Sequence, residues 1–497
     1  MKLLARWRSL SKYERGLFVV FLISLPLVNP WVRGDGVGYY AYVRSLLIDG
    51  DLRFENEYRQ GNLGLVLNVA DNSTGKLKAT AYTPTGYVYN HQAVGPSILW
   101  APFLVGVHVC VKASHGLGAT VPADGFSRPY TVTMALATAF YGFLGLYLAY
   151  RLARKYFEER WAFLATVGIW FASSLVVYMY FNPSWSHAHS AFVTSLFLWY
   201  WHRTRGRRST AQWVTLGAIS GLMLDVYYPN FVFLFIPLLE AIKNYRQIWR
   251  SPQGQGREIR QLFSLHLLYV LVAVVAFLPT LVTRQIMYGS PFRLGYEHLH
   301  DWAWAAPVLF KVLFSSTHGL LSWTPILIPA LVGLVLLRRR DREFAGYLLV
   351  VGLTFYYLIA SYPNWDGFSA FGNRFFVSLT PLFVVGLAAA LDRWGAVFRR
   401  PARAWALGAL MVSAFIVWNL GFVFQWGTKM IPNRGPISWR QMAYNQVVVV
   451  PRRLGGSLVR YFSARTTLMQ HLEQEDLREQ RLLDTPPLPN QENKREH

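Results

Sequence analysis

Asp35 stands between two glycines in the stretch RGDGVGYYAY, directly after the first apolar run of the chain. Gly34 and Gly36 let the backbone bring its carboxylate close to a ligand. At the exit of a membrane segment such a group suits a general base or a cation holder. A helix cap, or a partner for Arg33 or Arg44, is the alternative. Tyr39 follows at helix-compatible spacing. Asp49 and Asp51 form an Asp-x-Asp pair, and hard divalent cations prefer carboxylate oxygens. The pair occupies the turn Ile48 to Leu52, however, so a plain turn is the preferred reading. No cofactor is demanded, and a divalent metal is left open.

Histidines collect at the edges of two other apolar segments: PTGYVYNHQAVGP holds His91, and SWSHAHSAF holds His187 and His189. With Asp35 they could bind zinc, or His187 could act as a base near neutral pH. Residues two apart point to different sides of a regular helix, so His187 and His189 could share a metal only on irregular backbone. Substrate hydrogen bonding or interfacial packing is the preferred expectation. Two later loops add Arg293, Tyr296, Glu297, His298 and Asp301, then Tyr362, Asn364, Trp365, Asp366 and Arg374. Arginine's planar fork matches phosphate oxygens in pairs and keeps its charge. Arg374 is therefore expected to face a lipid phosphate, and Arg293 to anchor the chain, with snorkelling arginines in an aromatic belt as the alternative. Trp365 is placed to stack on a sugar and Asp366 to accept its hydroxyl protons.

These residues need elements that carry them to one face, and the composition says which kind. Hydrophobic residues make up 53% and charged residues 15% of 497 positions, against roughly 25% charged in a soluble domain. The apolar residues recur in blocks of about 20, the thickness of a bilayer core, where backbone must be helical. A soluble enzyme is excluded. The net charge of +23 sits in short connections such as HRTRGRR and LRRRDRE, which positive-inside topology explains better than nucleic acid. The lone Cys110 excludes an intrachain disulfide and a cysteine metal cluster.

The first span, Gly16 to Val32, follows a basic N-terminus with no small-x-small cleavage site, so the N-terminus is read as cytoplasmic. Further apolar segments are Val94 to Ser114, Tyr130 to Tyr150, Trp161 to Phe181, Ala188 to Trp201, Trp213 to Asp225 and Phe231 to Ile242. Leu262 to Thr283, Leu320 to Leu337, Phe344 to Ala360, Phe375 to Leu391 and Ala404 to Trp426 complete the set. Basic clusters put Arg151 to Arg160, His202 to Arg208, Lys243 to Arg260, Arg338 to Arg342 and Arg393 to Arg403 inside. Arg33 to Ala93, Asn182 to His187, Gln285 to His318 and Tyr362 to Arg374 then lie outside. Between the loop ending at Ala93 and the cluster at Arg151 stand two apolar segments where an odd number must cross. Val94 to Ser114, broken by Gly95, Pro96 and Pro102 and holding His108, is expected not to cross simply. Asp225 is expected at an outward hairpin tip, where it need not be buried. Residues 1–426 form the membrane domain, with 33–93 its first outer loop; 427–497 form an amphipathic and partly disordered tail.

This order of parts resembles the GT-C superfamily of integral-membrane glycosyltransferases, which includes protein O-mannosyltransferases and the lipid A aminoarabinose transferase. The match runs from about Gly16 to Leu391: a cytoplasmic N-terminus, one span, a long outer loop opening with an acid, then many short-looped spans. The resemblance implies an all-α polytopic bundle of about 11–13 transmembrane helices. It also implies sugar transfer from a polyprenyl-phosphate donor, with inversion, to a lipid, glycan or protein acceptor outside a bacterial inner membrane. Asp35 would be the base and Arg374 would face the phosphate; Tyr39, His91, His187, His189, Trp365 and Asp366 would shape the site. Two departures stand out: histidines replace the acid of the next outer loop, and single prolines, Pro96 and Pro102, replace a paired motif. No nucleotide-binding fingerprint is present, as expected of a donor that arrives tethered in the bilayer. Membrane lipids are expected neighbours and nucleic acid is not. A transporter or lipid flippase is the competing class, though no internal repeat is seen.

Overall fold

The polar stretch after the first apolar run folds back as short helices onto the ends of long ones. In this computed structural model residues 9–61, 76–250, 255–293, 301–432, 435 and 437–484 are described. Tyr296, Glu297 and His298 lie outside them. The helices in chain order are α1 (Lys12–Ser24), α2 (Asp35–Arg44), α3 (Glu55–Arg59), α4 (Gly95–His115), α5 (Arg128–Ala153), α6 (Glu159–Phe171) and α7 (His187–Thr204). Then come α8 (Thr210–Val226), α9 (Phe235–Trp249), α10 (Gln255–Ala276), α11 (Leu278–Tyr288), α12 (Leu309–Phe314), α13 (Leu320–Trp323) and α14 (Leu327–Leu336). The chain continues through α15 (Arg342–Ser361), α16 (Thr380–Gly395), α17 (Pro401–Gly427), α18 (Trp439–Tyr444), α19 (Val450–Ser463) and α20 (Arg465–Asp484). Among the described residues there is no strand beyond the isolated bridge Tyr82 to Val88, and 6 helices are long and apolar enough to span a bilayer.

Glycine lets the helices touch. A Cβ on Gly333 of α14 would lie 1.7 Å from the Gly386 carbonyl of α16, so these backbones meet directly. Gly217 and Gly221 of α8, one helical turn apart, bring it against the carbonyls of Tyr269 and Ala273 on α10. Helices in lipid gain little from hydrophobicity and associate through such close packing.

Ion pairs show which connections share an end. Glu14 binds Arg154 at 2.7 Å, Arg205 binds Asp341 at 2.6 Å, and Lys243 binds Glu343 at 2.6 Å. The N-terminus and the basic loops expected inside therefore lie together. At the opposite end Trp185 donates to the Arg33 carbonyl at 2.9 Å and His318 meets the Asp366 carbonyl at 2.8 Å.

The segment expected not to cross simply forms α4, a continuous helix that is among the 6 long and apolar enough to span. Trp100 Nε1 donates to Thr138 Oγ1 at 2.9 Å, and His108 Nδ1 meets Tyr130 Oη at 2.7 Å. The helix thus runs antiparallel to the first half of α5 alone and leads away from the Arg151 end. Pro96 sits in its first turn and Pro102 inside it.

Asp225, expected at an edge, is buried instead, and so is Glu240. Asp225 accepts from Thr280 N at 3.3 Å and Thr280 Oγ1 at 2.6 Å. It satisfies one of the free amides in the first turn of α11, a bond that fixes α8 to α11 and needs the carboxylate inside. Glu240 pairs with Arg208 at 2.7 Å.

Candidate active site

Asp35 opens α2, and its N-cap Gly34 has φ 53°, a left-handed conformation that favours glycine. A Cβ on Gly36 would fall 2.0 Å from Ser184 Oγ, so α2 is pressed onto the loop before α7. Arg374 arrives from the far part of the chain and places Nη1 2.8 Å from Asp35 Oδ2. Its guanidinium lies 4.4 Å above the Trp185 ring. The arginine side chain is 12% exposed and the aspartate 34%, so the acid is the open member of the pair. Arg44 instead takes Asp49 and, at 3.1 Å, Glu57.

Tyr39 Oη accepts from Ser186 Oγ at 2.9 Å, and burial holds its phenol neutral, well above the ordinary pKa. His187 is buried edge-on against Tyr178 at 4.6 Å between centroids, within reach of the Arg374 charge, and its Nδ1 has no partner. His189 turns the other way and packs between Trp100 at 5.0 Å and Tyr141 at 5.7 Å. His91 Nε2 meets Gln92 Nε2 at 3.1 Å. The structure gathers Asp35, Tyr39, His187 and Arg374, whereas His189 packs against α4 and α5 and the His91 ring lies beside Tyr89 and Gln92 of its own loop.

Trp365, Asp366 and Gly367 form a loop over Arg374. The Trp365 carbonyl accepts from Asn373 Nδ2 at 3.1 Å, and the Asp366 carbonyl bonds His318 Nδ1 at 2.8 Å. A Cβ on Gly367, whose φ is 70°, would lie 3.1 Å from Arg374 Nε. The Asp366 carboxylate accepts from Phe368 N at 3.2 Å and so shapes its own loop. Burial pushes the His318 pKa down to about 4, which keeps the ring neutral near pH 7. Three polar atoms here, His318 Nε2, Asn373 Oδ1 and Arg374 Nε, are buried without a hydrogen-bond partner. Each such atom costs about 1–3 kcal/mol, a cost that a ligand group could relieve.

Sequence reasoning missed His318, Asn373, Trp185 and Arg284. Arg284 donates to the carbonyls of Asn90 at 2.7 Å, His91 at 2.9 Å and Gln92 at 2.7 Å, pinning the end of the first loop to α11. The available signal was its place at the edge of an apolar run, where an arginine needs a purpose. The aspartates of the Asp-x-Asp pair serve the turn: Asp51 Oδ1 accepts from Ser45 Oγ at 2.7 Å and Arg53 N at 3.1 Å. Among the described residues no group of three or more His, Cys, Asp or Glu is arranged to hold a metal.

Fold and site together define an all-α polytopic membrane protein with an acid–arginine pair at the loop end. No family model matches the chain, and no curated protein does. Among solved structures it is similar to ArnT from Cupriavidus metallidurans in the apo state, at 16% identity and TM-score 0.47, covering 83% of this chain and 70% of that one. The same enzyme bound to undecaprenyl phosphate gives 16%, 0.48, 83% and 70%. The archaeal oligosaccharyltransferase AglB from Archaeoglobus fulgidus, in complex with an inhibitory peptide and a dolichol-phosphate, gives 14% and 0.45, covering 88% of this chain and 54% of that one. At these TM-scores the likeness transfers no residue roles.

Proposed function

We propose that the chain transfers a sugar from a polyprenyl-phosphate donor to an acceptor hydroxyl on the extracytoplasmic side of the membrane. The observation that carries this reading is the contact of Asp35 with the mostly buried Arg374. The acceptor oxygen attacks the anomeric carbon and its proton passes to the Asp35 carboxylate. The bond from that carbon to the phosphate oxygen breaks, and its electron pair leaves with the polyprenyl phosphate. Charge grows on the phosphate, and a fixed guanidinium beside it lowers the barrier. Arg374 has Nη1 on Asp35 while its Nε has no partner, so it offers donors to a phosphate without first breaking a bond at Nε. A single displacement of this kind inverts the anomeric carbon. Tyr39 holds the base's helix through Ser186, and Trp185 supports the cation from beneath.

The test is transfer by purified protein in proteoliposomes from a panel of polyprenyl-phosphate hexoses and pentoses, with lipid, glycan and peptide acceptors. Transfer that disappears in Asp35→Asn supports the proposal. Lipid movement across the bilayer without a glycosidic product, or full activity in Asp35→Asn, would sink it.

A further inference from the structure

We infer that His318 and Asn373, uncovered when the loop tip 367–369 lifts, form a two-acceptor subsite that binds neighbouring hydroxyl groups of a phosphate-linked sugar. The inference rests on the reading of Arg374 as a phosphate-facing group and deepens it. His318 Nδ1 faces a carbonyl at 2.8 Å and therefore carries the proton, which leaves Nε2 of the neutral ring as an acceptor. Asn373 Nδ2 donates to the Trp365 carbonyl at 3.1 Å, which leaves Oδ1 as an acceptor. Both acceptors are buried and unpartnered, as is Arg374 Nε, the donor beside them.

All three side chains meet the same three residues. Asn373 grips the Trp365 carbonyl, His318 grips the Asp366 carbonyl, and Arg374 Nε abuts Gly367. Glycines flank the loop's tip, with φ 70° at Gly367 and 53° at Gly372, and Phe368 projects from it 45% exposed. The tip 367–369 can rise while Trp365 and Asp366 keep these bonds and Phe371, whose N donates to Tyr178 Oη at 3.1 Å, stays buried, and what it uncovers is two acceptors beside a guanidinium donor. Two hydroxyl protons and a phosphate oxygen complement that set. A bare phosphate satisfies the donor and neither acceptor, so the set points to a phosphate that still carries its sugar.

The experiment measures affinity rather than turnover, using the full-length protein in detergent. Its probes are polyprenyl phosphate, a polyprenyl-phosphoryl hexose, and donors lacking one sugar hydroxyl at a time. In the wild type the sugar should raise affinity by about tenfold or more, since each hydrogen bond to a buried acceptor is worth on that order. Asparagine places its amide where histidine has Nδ1, so His318→Asn keeps the bond to the Asp366 carbonyl and removes Nε2. His318→Gln keeps the Nε2 position. The sugar-dependent gain should fall about tenfold in His318→Asn and persist in His318→Gln, with the melting temperature of His318→Asn unchanged. An equal gain in wild type and His318→Asn would overturn the subsite, as would a wild type indifferent to the sugar. Should His318→Asn fail to fold, the deoxy donors decide on the wild type alone: no loss with any of them overturns it. Sugar-dependent binding without transfer would leave the subsite standing and remove the transferase reading, so the two failures are distinguishable.

Discussion

At the scale of the residue, Asp35 and Arg374 have unequal roles that separate in mutants. Asp35→Asn preserves shape and a hydrogen bond but cannot take a proton. Loss of a general base costs about 10²–10⁴ in rate, so turnover should fall by at least about 10² while donor affinity is kept. Arg374→Lys keeps the charge and loses the planar fork, which should raise donor KM and lower turnover together. Steady-state kinetics with a varied donor separates the two, and a Lys variant with wild-type kinetics would remove Arg374 from phosphate binding. Asp35 and Arg374 both stood out in the sequence as candidates, one for its flanking glycines and the other as an arginine entering an apolar run. Their contact was not legible, since nothing local says which residues a distant helix will meet. His318 shows the reverse: its sequence surroundings, STHGLL, are ordinary, and its interest comes only from the Asp366 carbonyl it meets.

At the scale of the element, the first loop holds a titration and the helix bundle a steric limit. Glu57 on α3 is 2% exposed beside Arg44, and burial pushes its carboxyl up from 4.5 to about 7 against the pull of that arginine. The folded loop therefore keeps a proton between those values that the unfolded chain has released. Stability should fall as pH rises from about 4.5 to about 7 and level off above. Glu57→Gln removes this dependence, so its melting temperature should overtake the wild type's between pH 5 and 8; a wild type that gains stability over that range contradicts the assignment. In the bundle, a Cβ on Gly386 would sit 2.2 Å from the Ala330 carbonyl, so Gly386→Ala must part α14 from α16. Overpacking of this kind costs about 1–3 kcal/mol, and it disturbs the helix that follows Arg374. Gly346 on α15 has open space at its Cβ, and Gly346→Ala should stabilise by about 0.5–1 kcal/mol. Opposite shifts in detergent melting temperature check both. The long apolar helices were readable from run length, because that signal is local, whereas the prolines misled: α4 runs unbroken from Gly95 to His115 through Pro102. The burial of Asp225 was not, because its partner Thr280 comes from another helix.

At the scale of the whole molecule, the tail reports which ends of the bundle belong together. Charge patterning left its side open, since α19 carries arginines and an apolar face that suit either leaflet. The structure ties it down. Tyr461 Oη donates to the Leu27 carbonyl at 2.6 Å, Arg465 Nη2 donates to the Pro26 carbonyl at 2.8 Å, and Asn29 Nδ2 lies 3.2 Å from Met469 Sδ. These partners stand just before Asp35, so the tail shares a face with the candidate site and α17 must cross from the basic end to reach it. Orphan carbonyls at the end of the first apolar segment need donors, and the tail supplies three, Tyr461 to Leu27 and the Arg465 guanidinium to Pro26 and Val28. Thiol labelling tests this arrangement in a Cys110→Ser background. Ser463→Cys in the tail and Gln60→Cys in the first loop should both react with a membrane-impermeant maleimide on intact cells. Gln247→Cys at the basic end should react only after permeabilisation. Labelling of position 463 together with 247, and apart from 60, would place the tail on the opposite side and undo the contact with the first helix.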